Sequence, residues 1–371
     1  MILRRIDIKK AIVGLLALTI VSLITAISPA HAQEAVQSVT VSSDDAALDK
    51  SLSDNPSIIL AHLELEKSKL ELEKKKRELK KLKDADESDE RDIEILEKQI
   101  YYSELLAGLA YEDSVKSEKI KLSKAIYDYA YSGQMLALKR EASEYYSRLS
   151  EEARKKLELG YVSRLDYSDV LLSHSQKVSE LADAQISFDS AMHELNIILG
   201  NSLDTQISAV EGFAISNYDI DAIDAAAVTA RAQRADSSIA NLESSAETSR
   251  LEYEKQVAYY TEINLNAKIL KATYDKNLES LEQAKKEIEK DVVESVASLK
   301  NSRQQLALQK ESIDNQKKRF EAKSKEFELG HASLNELQEQ YLSLQEKMLS
   351  YYQSIYQYNI DIMNFVSTYG G

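Results

Sequence analysis

The sequence has no cysteine and no tryptophan, and only two prolines and nine glycines in 371 residues. Without cysteine there can be no disulfide framework, no thiolate zinc site, no cysteine nucleophile and no N-terminal thioether lipid. So few chain breakers exclude turn-rich β folds and glycine-rich phosphate loops. No proline follows Pro56, which makes long helices the default reading, because proline and glycine are the residues that most disfavour a helix interior. The net charge of −15 gives a chain that phosphate backbones repel, so nucleic acid is excluded as a partner. The five histidines are scattered, a single Glu-x-x-His spans Glu328 to His331, and neither a Gly-x-Ser-x-Gly nor a phosphate loop occurs. No enzyme is indicated, and no cofactor or metal site.

What is present begins with an export leader. Arg4, Arg5, Lys9 and Lys10 precede an apolar run from Ala11 to Ile27 and a small-residue site at Ala30-His31-Ala32, so residues 1–32 read as a signal peptide cleaved after Ala32, with an uncleaved anchor as the alternative. Residues 33–54 are polar and acidic, a flexible lead-in. Asn55-Pro56-Ser57 opens the first helix. Beyond it, leucines recur seven apart in two adjacent rows, Leu63 with Leu70, and Leu65 with Leu72 and Leu79. Two rows suit a helix with neighbours on two sides.

The chain also repeats itself. Glu158-Leu159-Gly160-Tyr161-Val162-Ser163 returns 170 positions later as Glu328-Leu329-Gly330-His331-Ala332-Ser333, and the same shift carries Gly200 onto Gly370. One translation therefore pairs four of the nine glycines, which marks two copies of a helical hairpin. Repeat one spans 55–200, a connector 201–224, and repeat two 225–371. In each copy the glycine supplies a left-handed helix end, and Ser163 or Ser333 caps the returning arm, with Asp166 or Glu336 completing a capping box. The return arm runs from the turn to Gly200, about 60 Å at about 1.5 Å per residue. In the connector, Asp221 or Asp224 is placed to cap the next helix.

The pattern Leu-Gly-x-x-Ser-x-x-Asp, followed by a long alanine- and leucine-spaced arm ending in Leu-Gly and present twice, resembles the TolC-like outer-membrane efflux protein family over Pro56 to Gly371. The resemblance implies an all-α protomer of two tandem antiparallel hairpins, three of which build a hollow helical barrel. Its tips would be Leu159, Gly160 and Ser163 in repeat one and Leu329, Gly330 and Ser333 in repeat two, docking on a periplasmic adaptor (a membrane fusion protein) that works with an inner-membrane transporter. Glu336 and Glu339, with Asp166 and Asp169 at the matching places, would form an acidic constriction; six glutamates around an axis would raise one another's pKa. The implied place is the cell envelope, in the outer membrane and periplasm, or on the extracytoplasmic face where no outer membrane exists.

The family inserts two membrane-spanning strands into the middle of each repeat, as alternating runs bounded by turns. Here Asp84 to Tyr131 is charged and helix-like, and Tyr259 to Ile269 alternates only weakly. The expectation is a helical tunnel with its barrel lost or reduced and little or no β structure. Tyr101, Tyr102, Tyr127, Tyr129, Tyr131, Tyr351, Tyr352, Tyr356 and Tyr358 cluster towards the inferred membrane-side ends, either as an interfacial belt or as helix-packing residues. The alternative to a duct is a secreted coiled-coil scaffold without a channel.

Overall fold

The computed structural model describes residues 39–41, 48, 51–52, 55–84, 89–209 and 213–369. The leader, most of the acidic lead-in, Gly212 and Gly370 lie outside the described residues. Seven α-helices account for most of what is described: α1 (Pro56–Lys83), α2 (Glu90–Glu158), α3 (Arg164–Ile198), α4 (Ala225–Ala235), α5 (Ser237–Tyr260), α6 (Leu265–Glu328) and α7 (Leu334–Tyr369).

Each of these helices starts on a short polar side chain that accepts a free backbone N–H. Asn55, Asp89, Ser163, Asp224, Asp236 and Asn264 do so for α1 to α6, and Ser333 does so for α7. Each such cap is worth about 1 kcal/mol. The connector offered two aspartates, and Asp224 is the cap; Asp221 pairs instead with Arg303 and Lys300 on α6. The break between α4 and α5 at Asp236 has only Asp-Ser-Ser as its signal.

Helix α2 has 69 residues and α6 has 64, about 100 and 95 Å at about 1.5 Å per residue. They are the two full-length members. The arm leading to Gly160 runs unbroken from Glu90 to Glu158. α1 and α3 both pack on α2, α5 and α7 lie between α2 and α6, and α4 packs on α6 and α7. The chain is therefore a layer four helices abreast, with α1 and α3 forming one edge and α6 the other.

Two junctions hold the short helices in register. At the first, Leu48 and Leu52 join Leu122, Ala125 and Ile126 of α2, and Met192 and Leu195 of α3. Here Val39–Val41 (β1) pairs in parallel with Ile207–Ala209 (β2), two three-residue strands too short to announce themselves in sequence. Asn196, fully buried, donates to the carbonyls of Leu203 and Thr205 at 2.8 and 2.9 Å. At the second junction Val292, Leu299 and Leu306 of α6 meet Ile355, Tyr358, Ile362 and Phe365 of α7 under Ile220 and Val228. Asn359 accepts from the Ser216 N–H at 2.9 Å and donates to the Ala214 carbonyl at 2.7 Å. One buried asparagine thus clamps the connector at each junction, since peptide groups brought into an apolar layer need partners.

The tyrosine stretches at 127–131 and 351–358 sit differently from their inferred place at a membrane-side end, whereas Tyr101 and Tyr102 lie near the start of α2. Tyr131 packs on Tyr356 at 4.9 Å between ring centres, and Tyr129 on Phe188 at 5.0 Å. The Tyr129 hydroxyl donates to the Ile207 carbonyl beside the first junction. These are helix-packing residues at mid-height. A tyrosine's helical spacing reveals that it is covered, but not how far along a 100 Å layer it lies.

Candidate functional site

At one end of the layer both hairpins turn. Leu159 closes α2, Gly160 takes φ +79°, and the N–H groups of Gly160 and Tyr161 return to the carbonyls of Leu157 and Lys156 at 3.0 and 2.8 Å. The second turn repeats this geometry: Gly330 has φ +79°, and Gly330 and His331 donate to Phe327 and Glu326 at 3.1 and 2.7 Å. This double bond is the helix end that a left-handed residue makes possible. Nothing lies within 4 Å of where a Cβ would sit on either glycine. Backbone conformation alone, not crowding, therefore selects glycine here.

Past each glycine the serine and the acid three residues on hold each other. The Ser163 Oγ accepts from the Asp166 N–H at 3.1 Å and donates to the Asp166 carboxylate at 2.7 Å. Glu336 accepts from the Ser333 N–H at 2.7 Å and hydroxyl at 3.0 Å. These donors, with Lys323 nearby, hold the Glu336 carboxyl below the usual range. Within the single chain the direction is thus opposite to the rise expected of a ring of glutamates, because the nearest groups are donors and a cation. Glu339 and Asp169 are exposed one turn further on. Glu336 and Glu339 share the face of α7 opposite buried Leu334, Leu337 and Tyr341. Among the described residues no hydrogen bond or ion pair joins the Asp166–Asp169 pair to the Glu336–Glu339 pair.

The two tips are nevertheless neighbours, through residues that sequence reading did not single out. The Lys156 ammonium lies 3.4 Å from the centre of the Phe327 ring, 3.3 Å from the Phe327 carbonyl and 3.3 Å from Glu152. This joins the end of α2 to the end of α6. Behind it Tyr145 stacks on Tyr341 at 3.7 Å, with Phe320 and Tyr146 around the pair. Burial pushes the Tyr146 phenol up to about 12 and those of Tyr145 and Tyr341 further still. Lys156 gave no signal, since a lysine in the last turn of a helix is ordinarily there for the dipole.

The tip is capped by exposed apolar side chains: Leu159, Tyr161, Leu165 and Leu329 are each about 70% exposed or more. At the opposite end α1 stops at Lys83 and α2 starts at Glu90, and the chain turns at Thr261–Asn264. Helix joins helix directly at Thr261–Asn264, where the family's membrane-strand pair would lie. Among the described residues no helix is long and apolar enough to cross a membrane, and no cluster of potential metal ligands occurs.

No family model matches the sequence, and no curated protein matches it. Solved structures do match the fold. The Campylobacter jejuni CmeC outer membrane channel aligns at TM-score 0.66 and 11% identity, covering 87% of this chain and 84% of that one. The Neisseria gonorrhoeae MtrE outer membrane channel in its open state aligns at 0.64 and 11%, covering 87% and 88%. The Vibrio cholerae outer membrane protein VceC aligns at 0.62 and 9%, covering 87% and 95%. The chain has the TolC-like fold of these outer membrane channels.

Proposed function

We propose that this protein is the exit duct of an envelope efflux or export system, a ring of three protomers enclosing a tunnel. The observation that carries this is the distribution of exposed apolar side chains. Leu60, Leu63, Leu70, Leu165, Leu172, Ile186 and Ile197 are each 59–70% exposed along the α1/α3 edge, and Val293 and Leu308 are 53% and 66% exposed along the α6 edge. The helices between carry few. Of the two leucine rows on α1, Leu72 is buried against α2 while Leu63 and Leu70 are bare. Two different edges that each lack a partner fit a head-to-tail contact, which closes into a ring when the rotation permits.

Level tips then fix the register. Ile197 stands as many residues after Gly160 as Val293 stands before Gly330, so the two meet across the seam. Since the chain has no cysteine, Ile197→Cys with Val293→Cys gives a clean test: oxidation should yield cross-linked trimers. Cross-links only between two protomers would sink the ring. Leu70→Glu with Leu172→Glu should leave a helical monomer, measured by light scattering and circular dichroism.

In this duct the tips, Leu159, Gly160, Ser163, Leu329, Gly330 and Ser333, dock on the periplasmic adaptor, and an inner-membrane transporter supplies the energy. Glu336 and Glu339 line the narrow end, with Asp166 and Asp169 beside them, and favour cations. Conductance through reconstituted trimers tests this: Glu336→Gln with Glu339→Gln should lower cation selectivity, and unchanged selectivity rejects the acidic constriction.

A further inference from the structure

The end remote from the tips carries a second exposed feature. Between α5 and α6, Tyr259 is 60%, Tyr260 61%, Ile263 83%, Leu265 72% and Ile269 55% exposed. Elsewhere on α5 no large apolar side chain is comparably bare. Scattered single apolar residues on a surface are unremarkable, but five within eleven positions at one extremity are not.

This loop is held in a defined shape. Thr261 has φ 70°, the one positive value at a non-glycine among the described residues. A β-branched residue adopts that conformation only where its surroundings impose it. Thr261 donates to the Val257 carbonyl at 3.1 Å, and its own carbonyl accepts from Asn264 at 3.3 Å. The Tyr259 hydroxyl donates to Asp89 at 2.8 Å, and Lys255 pairs with Asp89 and Asp92. The loop is thereby fastened to the start of α2, with Ile263 at its crest.

Cations gather behind the crest in an otherwise acidic chain. Lys74, Lys80 and Lys81 on the last turns of α1, and Lys268 and Lys271 on the first turns of α6, are exposed and make no ion pair among the described residues. Several acids of this end are internally neutralised: Asp89 and Asp92 by Lys255, Glu97 by Lys83, Glu104 by Lys76. Glu78, Asp84, Glu90, Glu94 and Glu262 remain exposed without an ion pair among the described residues. Attraction is therefore confined to the lysine faces, and the apolar crest supplies most of the contact. An aliphatic crest, flanking tyrosines and lysines set back from them are the composition of a segment lying in a lipid interface.

We infer that this end docks on the surface of an anionic phospholipid bilayer without crossing it. Ile263 and Leu265 enter the boundary between headgroups and acyl chains, Tyr259 and Tyr260 lie at headgroup depth, and the lysines face phosphates. The inference uses the duct reading only for orientation; in a ring, three loops would bind the same surface together.

The chain has no tryptophan, so Ile263→Trp in the full chain reports on this site alone, and Leu159→Trp on the opposite tip. Vesicles of phosphatidylglycerol and phosphatidylcholine should blue-shift the residue 263 reporter and allow quenching by lipids brominated near the headgroup, while the tip reporter stays water-exposed. Leu265→Asp in the Ile263→Trp background should weaken the response at least tenfold. Lys80→Glu with Lys81→Glu should weaken it several-fold on anionic vesicles only. A residue 263 reporter that stays in water while vesicles are bound, or one shielded equally with the tip, overturns the inference. So does one that responds only to added envelope proteins. Oligomer mass measured on the same variant separates the two claims: trimers without lipid contact overturn the docking and leave the duct standing.

Discussion

Three glycines that differ in backbone conformation and in surroundings should respond to alanine in three ways. Gly330 has φ +79° and empty space where a Cβ would go. Alanine there meets no clash, and its entire cost is the left-handed backbone, about 1–2 kcal/mol, partly offset by a stiffer unfolded chain. A net loss of about 1 kcal/mol is expected. Gly108, inside α2, also faces empty space but has helical geometry, so alanine there should stabilise by about 0.5–1 kcal/mol. Gly133 is helical too, but its Cβ would stand 3.3 Å from Phe188 Cε2. Gain and crowding oppose each other there, and the change should be smaller than at Gly108. Urea unfolding followed by circular dichroism resolves the ~2 kcal/mol separation between Gly330→Ala and Gly108→Ala. Asparagine at 330, which tolerates the left-handed region, should recover part of the loss. If Gly330→Ala and Gly108→Ala shift stability in the same direction, the conformational account of the tips is wrong.

Other expectations follow from the same geometry. Ser333→Ala removes the cap of α7 and should cost about 1 kcal/mol. Because the Glu336 carboxyl is held low by the Ser333 N–H, the Ser333 hydroxyl and Lys323, its contribution is complete above the unfolded pKa and lost as pH falls through the folded one. Glu336→Gln should therefore flatten the acid side of the stability profile, measured by urea midpoints between pH 3 and pH 7. The buried Tyr145 hydroxyl has no hydrogen-bond partner among the described residues, so Tyr145→Phe should be neutral or stabilising, whereas Tyr145→Ala should cost about 3–5 kcal/mol. The raised phenols of Tyr145, Tyr146 and Tyr341 predict stability that is full below the ordinary tyrosine pKa and is lost as pH rises beyond it, readable as unfolding between pH 10 and 12. Asn196→Ala strands the Leu203 and Thr205 carbonyls and should cost about 2 kcal/mol; a change under about 0.5 kcal/mol would mean the clamp is not needed.

Much of the fold was legible because it is written in local chemistry. Glycine at 160 and 330, serine three residues on and an acid three further specify a helix end, a cap and a capping box without reference to the rest of the chain. The same is true of Asn55-Pro56 at the start of α1. The short strands escaped because three residues cannot establish a period of two, and their pairing depends on the first junction bringing 39–41 to 207–209. Lys156 escaped because its meaning lies in Phe327, 171 positions away.

Scarcity of glycine and proline by itself determined that the chain is built of long helices, since nothing interrupts their hydrogen-bonded ladders, and where the few breakers fell determined the two hairpins. Position across the layer was settled only by tertiary packing. The two leucine rows of α1 look alike in sequence, yet α2 covers Leu72 and leaves Leu63 and Leu70 bare, because a helix at an edge has a neighbour on one side only. The clustered tyrosines likewise read as one class until packing placed Tyr131 and Tyr356 at mid-height and left Tyr101 and Tyr102 near the far end. Periodicity tells which face of a helix is apolar, but only the assembled layer decides whether that face meets its own chain, another copy or a membrane.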